Sequence, residues 1–308
     1  HMGVVGDTGS GKTQFLKSFL YQASMQSKNN RGQKIKMLIM DYKNDYTGNK
    51  KGDTFLQEIG GKLVVPENIP LNLFSTNALT QNESIERFRY KKASSLSTFL
   101  SQIYSGVGYV QQSNLLDAVE NAYKQSTRDP TMDDVYYAYR DIVPKADSVS
   151  GILRKVVELN IFSNHHDELL TFKEFFDSTL VIDLASFGAE LDLKELIVAF
   201  FLQLYYEYML GIEKADYIDG LRLIDSFVLV DEANELMKHE FNFLYQILTQ
   251  GREYGIGALL ASQYLSHFRT KKTNYNENLQ TWNLMLEKSM SAKDLDAIGI
   301  KENKENVS

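Results

Sequence analysis

The 308-residue chain has no cysteine, so it can form neither a disulfide framework nor a thiolate metal site. Its 5 histidines are scattered and no H-E-x-x-H occurs, which removes the common zinc-hydrolase helix. No apolar run approaches the ~18 residues of a membrane span, and no signal peptide is legible. A soluble cytoplasmic chain without membrane contact is the resulting expectation. Positive charge is also short: 33 Lys and Arg stand against 40 Asp and Glu, a net charge of −7. That balance gives no global footprint for nucleic acid, so any such contact needs a local basic strip, or one repeated in an oligomer. The hydrophobic share of 43% is enough for a large core, in one large domain or two.

What is present begins almost at the first residue. His1-Met2 reads as an expression scar, and the short approach to the first glycine-rich stretch suggests a module of a longer protein with further N-terminal domains. GVVGDTGSGKTQF then places Gly6-x-x-x-x-Gly11-Lys12-Thr13 between an apolar strand end, Val4-Val5, and a helical pattern from Thr13 to Gln26. Glycines let successive backbone N–H groups turn toward phosphate oxygens, and the helix start adds partial positive charge. The expected binding segment is Gly6, Asp7, Thr8, Gly9, Ser10, Gly11, Lys12, Thr13 and Gln14. Lys12 is expected on the β- and γ-phosphates and the Thr13 hydroxyl on Mg²⁺. The pattern therefore predicts a bound nucleoside triphosphate with Mg²⁺; ATP is the expected nucleotide, and the pattern by itself leaves adenine and guanine both open. There is no N-K-x-D of a guanine-specific GTPase and no L-S-G-G-Q of a transporter-type ATPase.

Along the chain, strands alternate with helices, except in the middle. Ile35 to Met40 reads as a buried strand ending in Asp41, followed by a polar loop, a short helix, and a strand at Lys62 to Val65. From Leu79 to Phe176 the pattern is helical, with Thr131-x-x-Asp134 as a capping box. A strand at Thr179 to Leu184 follows, then a helix from Leu191 to Leu210 that is apolar nearly all round and is expected against the sheet. SFVLVDEANE leads into a helix to about Gln250, then GREYGIGALLASQ, with a last strand near Thr281 to Leu286. The reading is an α/β fold with a mainly parallel sheet flanked by helices. Residues 1–78 and 177–308 form the expected core, and residues 79–176 an all-helical insertion.

Hydrolysis needs a partner for the metal and a group that prepares water. Phe227 to Val230 followed by Asp231-Glu232 has the required form, four apolar residues and then paired acids at a strand end. Asp231 is expected to hold Mg²⁺ and Glu232 to orient or deprotonate the attacking water. Gln263 closes the strand IGALLASQ and is either a γ-phosphate sensor or a polar strand-end residue. Arg252, where a helix ends, either pairs with that helix's dipole or reaches a neighbouring subunit's nucleotide. Asp41 lies on the ligand-binding edge of its strand or anchors a loop.

GDTGSGKT, MDYKNDY, IPLNLF, VIDLASFG, VLVDEANE and GREYGIGALLASQ, in this order, resemble the HerA/FtsK superfamily of P-loop ATPases. The resemblance spans most of the chain outside the helical insert. It implies a RecA-like sheet and a homo-oligomeric, hexameric ring with sites between subunits, acting on duplex DNA without sequence preference. It also implies Gln263 as sensor and Arg252 as trans finger. GKTQFLKSFLYQ, DYKNDY and SAKDLDAIGI look like the HerA-like ATPase of phosphorothioation-dependent DNA restriction, which implies partner nuclease or restriction subunits. HerA's N-terminal barrel has no counterpart in the chain, and the helical insert carries no assignable motif. The competing readings are a conjugation or type IV secretion coupling ATPase and a nucleotide-gated scaffold.

Two basic strips are candidate DNA contacts. One is Arg87-Phe88-Arg89-Tyr90-Lys91-Lys92, where a solvated helix face is the alternative. The other, with Arg269, Lys271 and Lys272, comes soon after Gln263, so nucleotide state could move it. The tyrosines of YYEYML and VYYAYR have helical spacing and read as core.

Overall fold

The computed structural model describes residues 1–48, 52–78, 83–285 and 292–299. Strand β1 (Met2–Val5) feeds helix α1 (Lys12–Ser24), and β2 (Lys36–Asp41) comes after it. Next come α2 (Phe55–Glu58) and β3 (Lys62–Val64). The helices α3 (Ile85–Ile103), α4 (Tyr109–Gln125), α5 (Met132–Ile142), α6 (Ser148–Glu158) and α7 (Phe172–Phe176) then run consecutively. β4 (Leu180–Asp183) leads to α8 (Leu191–Gly211), and a small hairpin, β5 (Tyr217–Ile218) and β6 (Leu221–Arg222), precedes β7 (Ser226–Val230). The chain continues through α9 (Ala233–Met237), α10 (Asn242–Gln250), β8 (Ile256–Ser262), β9 (Thr281–Leu284) and α11 (Ala292–Ala297). The expected endpoints Leu79, Leu286, Ser291 and Ile300 lie outside the described residues.

Contacts divide the chain into two compact units. The first comprises residues 1–63, 178–185 and 212–308 and holds a seven-stranded sheet of order β3-β4-β2-β7-β8-β1-β9. β1 pairs in parallel with β8 and β9, and β2 with β4 and β7; β7 and β8 are parallel as well. Because the strands run parallel, the ends of β1, β2, β7 and β8 share one edge, where Gly6, Asp41, Asp231 and Gln263 emerge. The apolar face of α1 covers the sheet, with Leu16 and Leu20 buried among Val4, Ile39, Leu229 and Leu259. Burial from both faces is why these strands read as continuous apolar runs.

The second unit comprises residues 64–177 and 186–211. α8 belongs to it and packs against α3 and α7. Rings account for the packing: Phe200 lies 6.2 Å from Phe99 and 5.6 Å from Phe162, and Phe176 lies 5.3 Å from Tyr205. The Thr131 capping box forms, with the Asp134 carboxylate accepting from the Thr131 N–H at 2.7 Å. The helix expected from the acid pair to Gln250 is instead broken between α9 and α10. Glu240 takes φ 55°, which a right-handed helix cannot continue through, and its carboxylate binds the Thr270 hydroxyl and the Lys272 N–H.

Candidate nucleotide-binding site

The segment between β1 and α1 turns through Gly9 at φ 83° and Gly11 at φ 93°, both in the left-handed region, and a side chain at either would point into open space. Gly6 is glycine for a different reason: a Cβ there would lie 2.6 Å from Ser10 Oγ and 2.8 Å from Met285 Cβ. Thr8, Gly9, Gly11, Lys12, Thr13 and Gln14 line a cavity of about 910 Å³, while Gly6, Asp7 and Ser10 form the turn behind it. Lys12, 9% exposed, folds over the loop and donates to the Gly6 carbonyl at 2.5 Å and the Asp7 carbonyl at 3.1 Å. The Gly6 N–H donates to the Ser262 carbonyl at 3.3 Å, tying the loop to β8.

Asp231 and Glu232 line the same cavity. The Thr13 hydroxyl donates to Asp231 Oδ2 at 3.3 Å, so residues far apart in sequence meet at the helix start. Burial pushes the Asp231 carboxyl above its usual range, against the Tyr46 hydroxyl, which donates to Oδ2 at 2.9 Å and favours the ionised form. Glu232 takes φ 60° and ψ 43°, a conformation that costs an L-residue energy and that clusters at functional positions. Its carboxylate forms an ion pair with Lys43, another residue of the cavity wall.

Lys43 and Tyr46 come from the loop after β2, and this is where sequence reasoning fell short. Asp41, 1% exposed, accepts from the N–H groups of Lys43 at 3.1 Å, Asp45 at 3.0 Å and Tyr46 at 2.7 Å. Of its two expected roles, the geometry shows the loop anchor. Burial pushes its carboxyl up, and the three N–H groups oppose that shift. The Tyr46 hydroxyl is held well above its usual value, first by burial and then by Asp231. The signal lay in the MDYKNDY motif, but nothing in one dimension shows that the loop doubles back onto the acid pair.

Gln263 comes directly after β8 at the same sheet edge and is half-buried, yet it is not part of the cavity wall. Arg252 is exposed and precedes β8, at the opposite sheet edge, so it does not share the cavity of its own chain. Of the basic strips, Arg87 is exposed, while Arg89 is half-buried with its guanidinium 4.7 Å from the Tyr123 ring centre. Lys92, in the same strip, is buried and paired with Glu207, so the strip is not a free cationic face. Arg269, Lys271 and Lys272 are exposed and line a second cavity of about 780 Å³ with Lys238 and Glu240. Among the described residues no cluster of three His, Cys, Asp or Glu side chains could hold a metal ion, and no helix is long and apolar enough to cross a membrane.

The fold is that of RecA-like P-loop ATPases, a mostly parallel sheet with a glycine-rich phosphate loop at one edge. The model of the family described as helicase HerA, central domain, matches residues 1–204, and the chain belongs to that family. Among solved structures, VirB4 of Thermoanaerobacter pseudethanolicus aligns with 98% of this chain and 81% of its own, at 17% identity and a TM-score of 0.71. The bacterial conjugative coupling protein TrwB, in an unbound form lacking an N-terminal segment, aligns with 92% of this chain and 67% of its own, at 13% identity and a TM-score of 0.56. TrwB solved with ADP and Mg²⁺ aligns at 13% identity with a TM-score of 0.50, over 97% of this chain and 68% of its own. No curated protein matches the sequence.

Proposed function

We propose that the chain is an ATP-hydrolysing motor module of the HerA type that acts on duplex DNA as a homo-oligomeric, hexameric ring. The observation that carries the reading is the meeting of Thr13 and Asp231. Their oxygens lie 3.3 Å apart, close to the spacing of roughly 3 Å between neighbouring corners of an octahedron with ~2.1 Å Mg–O bonds. Thr13 and Asp231 would hold Mg²⁺, Asp231 in part through water. The ion would supply charge neutralisation between phosphates. Thr8 to Gln14 would bind the triphosphate, Lys12 moving from its carbonyl seat onto the phosphates. Glu232 would orient or deprotonate water, with Gln263 as a sensor at the adjoining strand end. Arg252 would serve a neighbouring subunit's site, in keeping with its distance from its own.

In the groove of Arg269, Lys271, Lys272 and Lys238, Lys238 is paired with Glu235 and Lys272 with Glu240, so Arg269 and Lys271 carry the proposal of a DNA contact there. The resemblance of DYKNDY and SAKDLDAIGI supports a role in phosphorothioation-dependent restriction, with nuclease or restriction subunits as partners. The likeness to VirB4 and TrwB supports a second reading, a coupling ATPase of secretion or conjugation.

ATP turnover measured against protein concentration, with and without duplex DNA, tests the proposal. Turnover should rise with both and vanish in Lys12→Ala and Glu232→Gln. Nucleotide uptake without turnover under any condition would instead favour a nucleotide-gated scaffold.

A further inference from the structure

The loop after β2 holds a cation whose placement the nucleotide reading does not use. Asp41 pins the loop backbone through three N–H groups, so the position of Lys43 is fixed while its side chain is not. That side chain is 54% exposed and makes one ion pair, with Glu232. Both residues line the cavity that also takes in Thr8 to Thr13. Burial works against the Lys43 charge, yet the Glu232 carboxylate holds its pKa above the usual lysine value.

We infer that Lys43 is a two-position side chain: it clasps Glu232 while no triphosphate is bound, and transfers to the terminal phosphate when one enters. The inference rests on the nucleotide-binding reading above and deepens it by naming a residue that distinguishes triphosphate from diphosphate. A terminal phosphate carries more negative charge than a carboxylate and offers several acceptor oxygens, so it outcompetes Glu232 for one ammonium. A lysine suits the exchange because it is a point charge on a rotatable stem, whereas the fork of an arginine fixes one geometry. The clasp has a consequence for Glu232. The ammonium engages Oε1 of Glu232, so that oxygen is released to the attacking water only when the group to be attacked is in place.

Calorimetric titration of the full chain tests this, using Mg²⁺ with ADP and Mg²⁺ with a non-hydrolysable ATP analogue. Lys43→Met should weaken the triphosphate analogue by on the order of 10-fold and leave ADP within about twofold. Lys43→Arg should recover part of the loss. Lys43→Gln, polar and of similar length, takes the place of the Met variant if that protein does not fold. Glu232→Gln should tighten the triphosphate analogue by removing the competitor, and this gain should disappear in the double variant with Lys43→Met. Equal losses for both nucleotides, or no loss for either, would overturn the inference while leaving the nucleotide reading standing. A parent protein that binds neither nucleotide would end both.

Discussion

At the scale of single residues, the site is organised by groups that are not themselves expected on the nucleotide. The Tyr46 hydroxyl donates to a carboxylate that is 7% exposed, and a hydrogen bond to a charged group is worth about 1.5–3 kcal/mol. Tyr46→Phe should therefore lower unfolding free energy by roughly that amount in chemical denaturation. His267 gives a pH signature. Burial pulls its pKa below 6.5, partly offset by Glu235 and Glu232, and its Nδ1 lies 2.7 Å from Ser262 Oγ. A histidine with a lowered folded pKa contributes stability that is complete above 6.5 and is lost as pH falls through the folded value. The thermal midpoint should drop on acidification from neutral pH, and His267→Gln should flatten that drop. Both acids and the phosphate loop were legible because their chemistry is written in adjacent residues. Tyr46 and Lys43 were not, since their roles depend on a loop closing back over the sheet edge.

Elements show a similar division between what spacing reveals and what it hides. Capping boxes are local, and besides Thr131 the same pattern opens α7 through Thr171 and Glu174 and α6 through Asp147 and Ser150. Removing one, as in Thr131→Ala, should cost about 1 kcal/mol in thermal or chemical unfolding. α8 was legible as a buried helix because it is apolar nearly all round, but that same property leaves no stripe to say what it faces. Within its own unit it meets α3 and α7 and the ring of Phe162. Phe200 at its centre is 1% exposed and meets two rings, so Phe200→Ala should destabilise the protein by about 3–5 kcal/mol. The break between α9 and α10 had no local signal, since Glu240 is held by partners from a distant segment, Thr270 and Lys272.

For the whole molecule, the sheet order sets which groups share an edge. β8 is seven residues long, which separates Arg252 from the phosphate-loop edge by roughly 20 Å along the strand. If Arg252 acts on another copy, Arg252→Ala should bind nucleotide normally but lose on the order of 10³–10⁵ in turnover. Mixing it with Glu232→Gln, which keeps the arginine but lacks the acid, should restore part of the activity. The same order has a consequence for how the protein is made. β1 is made before its sheet neighbours β8 and β9, which lie near the other end of the described chain. At ~5–20 residues per second, ribosomes need roughly 10–50 s to reach β8 after β1. Throughout that interval β1 has no neighbour to zip to, and a nascent chain stalled before residue 256 should stay open to protease around β1.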